Sequence, residues 1–520
     1  MAVRFGVHCA ASWESWQIDS LRRLLAVPHV QAAVLLLADT AEVPTTLPVE
    51  LRALPVVSPA SGPEPLRQLD LDFVLSFGDP QAARELSGST RWGVWRHEFG
   101  NGEQRPSARP GYWEVHLGQA ESFAMLVRLT PDPDAVVVLR EACLRTALLS
   151  VAANRSQLEN VCVPMATQVC ISILNGVTEQ IIAPARRTAL PARAEPGRLD
   201  QIVCAARIIG RKAGEAWRGL FRHTQWNVGI VEAPIASFLG AAPLPRVRWQ
   251  REPPRHVFRA DPFGRMQDDG LTILYEDFDY PVNRGTILAW NAKSDRTLPV
   301  RIGPQPPVHL SYPYLFEADG RLLCLPEAHE SGALVLYEVE RFPDLWKPLA
   351  TLALDRLIVD ATPFFHGSHW WIAGSEPGVK GASSELLLWY ADRITGPWTG
   401  HAGNPVKVDI RSARPGGTPF WHDGALHRPA QDCSRSYGGR IVINRVTTLT
   451  PHAFAESPVA VVEPIAGDRY GEGIHTLAQV GDITLIDGKR TLFVPSEFRR
   501  TARHFLANGW RLLRRELLQR

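Results

Sequence analysis

One stretch of this chain, HLSYPYLFEADGRLLCLPE, runs from His309 to Glu327 and then recurs. RADPFGRMQDDGLTILYE ends at Glu276, IVDATPFFHGSHWWIAGSE at Glu376 and GGTPFWHDGALHRPAQD at Asp432. A fainter copy, GEGIHTLAQVGDITLIDG, carries His475 where the others carry proline. The anchors Pro262, Pro313, Pro363, Pro419 and His475 stand 51, 50, 56 and 56 residues apart. A unit of roughly 50 residues holding several short strands cannot bury its apolar face alone, so successive units must pack on one another. Five copies predict a five-bladed β-propeller over residues 255–498.

Each copy has the same physical logic. The aromatic after the proline is expected to bury between blades, and the Asp-Gly or equivalent step to close a hairpin. FPDLWKP and ITGPWTG recur between copies as Pro/Trp turns. Because blades share one orientation, equivalent residues form rings around a central channel. One expected ring holds Asp261, Ser311, Asp360, Gly417 or Thr418, and His475; the other holds Glu276, Glu327, Glu376 and Asp432. The densest polar segment, 411–439, adds Arg414, Arg428, Gln431, Arg435 and Tyr437. Arginines bind carboxylates and phosphates through a planar fork, which suits an anionic sugar or sugar phosphate; an internal salt-bridge lattice is the competing role. His309 joins the substrate-binding candidates.

The first half reads differently. VRFGVH, HVQAAVLLLAD and LDLDFVLSFG are buried strands, and the segment from Ser12 to Val27 between the first two has helical spacing with Ser12 as its N-cap. That order implies a parallel α/β sheet, and the first turn lacks a dinucleotide fingerprint. Residues 186–254 read as a Pro/Arg-rich linker with a connecting helix, and 499–520, with seven Arg and one Glu, as a basic amphipathic helix able to lie on an anionic membrane.

Bulk properties narrow the function. A net charge of +2 on 520 residues argues against nucleic acid as the main partner. Seven scattered cysteines without a C-x-x-C pair argue against a disulfide framework or a zinc ribbon, and fit buried free thiols in a reducing compartment. The N-terminus does not read as a signal peptide, and no apolar run reaches spanning length. The expected location is therefore cytoplasmic, peripheral to the inner face of the cell membrane, and no metal is expected.

Three resemblances refine this reading. Residues 1–180 resemble the formyltransferase family, a Rossmann-type fold: His97 falls on its His, PGYWEV on its Pro/Trp segment and Asp134 on its Asp, but Trp95 stands where the family has Asn. Trp has no carbonyl and fills the pocket, and one lost oxyanion donor costs on the order of 100–1,000-fold. The resemblance therefore implies a degenerate domain over 1–185, with N10-formyltetrahydrofolate as cofactor only if it is active on an amino sugar. The propeller resembles glycoside hydrolase family 43, which implies Asp261 as base, Asp360 as the orienting group, and Glu327 or Glu376 as acid. The order DPF, LSYPYLF, DATPF, ARPGGTPF, RPAQDCSRSYGGRI resembles the N-terminal propeller of plant glucosamine inositolphosphorylceramide transferases. Together these imply a carbohydrate-active, glycosyl-transferring enzyme of surface polysaccharide or glycolipid assembly, taking a sugar nucleotide, sugar phosphate or lipid-linked glycan. The alternatives are a non-catalytic sugar-binding scaffold, an amino-sugar N-formyltransferase, and a hydrolase.

Overall fold

The computed structural model describes residues 2–10, 12–37, 42–100, 109–187, 194–240, 246–377 and 384–494. The expected tail helix at 499–520 lies outside them. The chain divides into two compact units: residues 1–204 with 401–409 and 448–455, and the remainder.

The first unit is an α/β layer. Its strands are β1 (Val3–His8), β2 (Val30–Leu36), β3 (Val56–Val57), β4 (Phe73–Ser76), β5 (Val94–Phe99), β6 (Glu121–Leu129) and β7 (Ala135–Arg145). They lie in the order β3-β2-β1-β4-β5-β6-β7. The first five are mutually parallel, β6 and β7 follow antiparallel, and Lys407–Asp409 pairs parallel with β7. β1 and β4 are buried almost throughout because helices cover both faces of such a sheet. Phe5, Phe73 and Trp95 stack at its centre, with ring centroids 5.3 and 3.8 Å apart. The helix Ser15–Leu25 starts at a capping box between Glu14 and Gln17, not at Ser12.

The second unit is propeller-like and all-β apart from the long helix Arg198–Phe221, most of which it contains. Four four-stranded antiparallel sheets stand separately, where five repeats were counted. Two are consecutive meanders over Val257–Pro299 and Ser311–Leu352, and a third runs from Phe420 to Val462. The third repeat supplies Val359–His366, His369–Ser375, Glu385–Ala391 and Thr399–Gly400, which pair in order and antiparallel. Asp319-Gly320 and Asp423-Gly424 have two positive φ angles each, the type I′ turn expected of Asp-Gly hairpins.

The fourth separate sheet corrects the linker boundary. Arg222–Val231, expected to be connector, is a strand that pairs along its whole length with Ile483–Phe493, from Val231 opposite Thr484 to Arg222 opposite Phe493. Arg248–Trp249 and Leu477–Val480 flank this pair. The fifth repeat lacks outer strands of its own, so residues from before the first repeat complete its sheet and tie the two ends of the unit together.

The first strands of the first three repeats carry a bulge. The ladder skips Asp261 and Pro262, then Tyr312 and Pro313, then Asp360 and Ala361. Asp261, Tyr312 and Asp360 have φ of 54, 45 and 53°, and Gly417 has 122°. Such a bulge turns one side chain out of the ladder. Two expected alignments shift as a result. Tyr312, not Ser311, matches Asp261. In the third repeat Thr362, not Phe364, takes the place of buried Phe263 and Tyr314; Phe364 is only half-buried and its neighbour Phe365 is exposed.

Candidate functional site at the hub of the second unit

The bulged residues meet. Tyr312 N–H donates to Asp261 Oδ2 at 3.3 Å, and Thr476 Oγ1 donates to Asp261 Oδ1 at 3.2 Å. The Tyr312 hydroxyl lies 2.9 Å from Thr362 Oγ1 and accepts the Gly417 N–H at 3.1 Å. Residues of all five repeats are thus linked through one phenol and one carboxylate.

A carboxylate–imidazole–carboxylate group occupies one side. His475 Nδ1 is 2.7 Å from Asp487 Oδ2, and its Nε2 is 3.4 Å from Asp261 Oδ1. Asp487 also accepts the backbone N–H groups of Asp261, His475 and Thr476, at 3.2, 2.9 and 3.2 Å. All three side chains are buried. Burial pushes the Asp261 carboxyl up to about 7, with Asp487, Asp360 and Glu327 adding to the rise and His475 opposing it. Burial likewise works against the charge on Asp487 and on His475, but each ion holds the other: Asp487 titrates below the ordinary aspartate range and His475 above the ordinary histidine range.

On the other side Asp360 is gripped by Arg414, whose Nε and Nη2 lie 2.5 and 3.2 Å from its two oxygens, and by Gln431 Nε2 at 2.9 Å. The Asp360 N–H donates to Glu327 Oε2 at 3.1 Å, and Glu327 Oε1 lies 3.0 Å from His329 Nδ1. Burial raises Asp360 despite Arg414. Glu327 goes the other way: against its burial, the His329 bond and Arg414 hold it below the ordinary range. Glu276 is raised well above that range, by burial first and then by the Asp261 and Glu327 charges. His309 Nδ1 accepts the Gly285 N–H at 2.8 Å, which leaves Nε2 as the protonated nitrogen, 3.7 Å from Glu276 Oε1.

Aromatic rings floor the group. Trp226 lies against His475 with centroids 4.1 Å apart, and Tyr437 is 5.4 Å from it. The Arg414 guanidinium sits 5.0 Å from the Tyr437 centroid, and Lys489 Nζ 5.3 Å from that of Trp226. Tyr437 is 43% exposed as a residue, while burial pushes its hydroxyl well above the ordinary phenol range.

Of the expected residues, Asp261, Asp360, Glu327, Glu276, His309, Arg414, Gln431, Tyr437 and His475 take part in these contacts. Three do not. Glu376 is half-exposed beside Arg356, because Ser375 holds the position opposite Val359 that Glu327 holds opposite Ser311. Asp432 accepts from the Ser434 N–H at 2.9 Å and from Arg440 Nε at 2.8 Å, an internal pair. Arg428 is buried in a bidentate pair with Glu456 and donates to the carbonyls of Ser412 and Ala413. These two follow the internal-lattice reading. Sequence reasoning missed Asp487, Tyr312, Thr476, Trp226, His329 and Lys489. Asp487 was findable: like Glu276 and Glu327, it is the carboxylate at which its copy's apolar run stops.

The expected formyltransferase positions do not form a site. Trp95 is buried with its indole N–H on the Trp92 carbonyl at 2.9 Å. His97 is buried edge-on to Trp16 and near Phe77, and burial lowers it to about 4. Asp134 is exposed, in the turn between β6 and β7.

Residues 250–475 match the family model described as glucosamine inositolphosphorylceramide transferase 1, N-terminal. The glucosamine inositolphosphorylceramide transferase 1 of Arabidopsis thaliana is 35% identical over 250 residues, which are 45% of this chain and 32% of that protein. That of Oryza sativa subsp. japonica is 31% identical over 254 residues, 46% of this chain and 34% of that protein. The chain spans about a third of the length of the curated relatives it matches. A solved thermostable family-43 glycoside hydrolase is 15% identical, covering 41% of this chain and 77% of its own at a TM-score of 0.28.

Proposed function

We propose that the second unit is the catalytic part of a glycosyl-transferring enzyme of glycolipid or surface-glycan assembly, with the third repeat as the fifth blade and the reaction at the hub. The observation that carries this reading is Asp261. A buried carboxylate titrating near neutrality is ionised in part and protonated in part at working pH, which is what a group exchanging a proton with a sugar hydroxyl requires. As base, Asp261 takes the proton of the acceptor hydroxyl while that oxygen bonds to the anomeric carbon. The bond to the donor's phosphate breaks, and the phosphate leaves with the electron pair. Asp360 and Arg414 orient the sugar. Tyr437 offers its ring to the sugar's C–H face. Glu276, raised well above the ordinary carboxyl range, fits the role of donating a proton to the departing phosphate oxygen better than Glu327, which is held below that range.

The likeness to glucosamine inositolphosphorylceramide transferases supports an inositolphosphorylceramide-type lipid as acceptor, and a phosphate leaving group implies a sugar nucleotide or sugar phosphate as donor. The test incubates the full chain with a panel of labelled sugar nucleotides and inositolphosphorylceramide, and follows the label into lipid. Asp261→Asn should lower turnover at least about 100-fold with folding intact. Label transfer unchanged in Asp261→Asn and Asp360→Asn would remove the assignment. A second reading, a sugar-binding scaffold, draws on the fact that both Asp360 oxygens are already spent on Arg414 and Gln431. Calorimetric sugar binding that survives both substitutions, with no turnover in any form, selects it.

A further inference from the structure

The helix Arg198–Phe221 is built the wrong way round for a helix that only joins two units. At ~3.6 residues per turn, Leu199, Ile202, Val203, Ile209 and Trp217 fall in one stripe ~120° wide. A connecting helix should turn such a stripe inward. Here these five side chains are between 42% (Val203) and 79% (Leu199) exposed. The buried residue of this stretch is Cys204, at the opposite side of the helix. A methyl group built at Gly210, within the stripe, would meet no atom within 4 Å. The helix therefore packs through Cys204 and half-buried Ile208 and presents the stripe outward.

Charge argues for what covers that side. Arg198, Arg207, Arg211, Lys212 and Arg218 stand against Asp200 and Glu215, five positive charges less two negative, a net +3. Arg207 and Arg218 run along one border of the stripe and Arg198 along the other. An apolar stripe bordered by arginines, with tryptophan among its apolar residues, has the chemistry of a helix lying in a lipid headgroup layer: the stripe enters the acyl boundary and the guanidinium groups reach up to lipid phosphates. Among the described residues no helix is long and apolar enough to cross a bilayer, so the contact is in-plane. We propose that the outward face of Arg198–Phe221 docks the protein on an anionic membrane surface.

The test uses the full chain and needs no substrate. The seven native cysteines are all buried, so Ile209→Cys and Glu215→Cys each accept an environment-sensitive fluorophore at one exposed place, in the stripe and on the polar side respectively. Vesicles of phosphatidylcholine with phosphatidylserine should float the protein and blue-shift the label at 209 but not at 215; pure phosphatidylcholine should do neither. Ile202→Glu with Ile209→Glu should weaken vesicle binding roughly tenfold or more, with circular dichroism and thermal midpoint unchanged. Three outcomes overturn the proposal. They are no flotation, flotation with no shift at 209 (attachment through another segment such as 499–520), and a shift at 209 that follows protein concentration without lipid, which makes a second copy the occupant.

Discussion

Asp487 holds the His475 imidazole by its Nδ1 at 2.7 Å and, through three backbone N–H groups, holds the backbone at His475, at Thr476 and at the Asp261 bulge. One fully buried carboxylate thus fixes both the ring and the residue the ring faces. Asp487→Asn keeps the shape, but replaces one carboxylate oxygen with an N–H₂ that cannot accept. It leaves His475 without its closest counter-ion and at least one N–H unanswered. Breaking such a buried pair from one side costs about 3–5 kcal/mol. A urea titration of the full chain should show a loss of that size; a loss under about 1 kcal/mol would mean that His475 is neutral in the wild type.

Asp261 should make stability depend on pH in a stated direction. Its folded value, about 7, lies above the ordinary 3.8. The stabilising contribution of the neutral form is complete below the lower value and is lost as pH rises through the higher one. Asp261→Asn keeps a neutral side chain at every pH. Its thermal midpoint should therefore decline less than that of the wild type between pH 5 and 8, with a divergence on the order of a few kcal/mol in unfolding free energy by the upper end. Parallel pH profiles would show that Asp261 is ionised throughout.

Arg414 is the counterpart on the other side. Arg414→Met removes the charge and leaves Asp360 buried with Gln431 as its remaining side-chain donor, so a loss of about 3–5 kcal/mol is expected. Adding Asp360→Asn to the same chain should restore much of it, since a neutral amide needs no counter-ion. The thermal midpoints of the single and double variants decide this; equal values would show that the two residues are not coupled.

The repeats were legible because proline, Asp-Gly and terminal carboxylates mark hairpins locally. What the sequence hid is what bulges and long-range pairing decide. A bulge moves the meaning of a position by one residue, so Ser311 was aligned where Tyr312 belongs, and Glu376 where Ser375 belongs. Pairing between Arg222–Val231 and Ile483–Phe493 spans more than half the chain's second unit, and no local pattern announces it. Trp226 was therefore read as connector although it lies against His475. Arg428 and Arg414 look alike in sequence. Only the presence of Glu456 beside one and Asp360 beside the other separates a lattice arginine from a hub arginine.

Trp95 gives a test of the first unit. Trp95→Asn would place here the residue expected of a formyltransferase, but the indole stacks on Phe73 at 3.8 Å and is fully buried. The substitution leaves a cavity and buries an amide, for a loss of about 3–5 kcal/mol or more. Denaturant unfolding should show this, and the variant should gain no binding of N10-formyltetrahydrofolate. Folate binding by a stable Trp95→Asn chain would instead reveal an intact pocket beneath the tryptophan.

The match to residues 250–475 omits both long strands of the sheet that joins the unit's ends, Arg222–Val231 and Ile483–Phe493. A fragment of 250–475 should therefore expose the apolar faces that Val228, Ile230, Leu485 and Ile486 cover, together with unpaired strand edges, and aggregate. A fragment of 222–494 contains both strands and should be monomeric, resist trypsin and melt in one cooperative transition. Asp261 is informative here, because its neighbour Asp487 lies on Ile483–Phe493: the shorter fragment loses that carboxylate even if it stays soluble. Gly229→Val, whose added Cβ would clash with the Val247 side chain and the Trp249 ring, should weaken the longer fragment in the same way without shortening it. A soluble, cooperatively folded 250–475 would show that the closing sheet is dispensable.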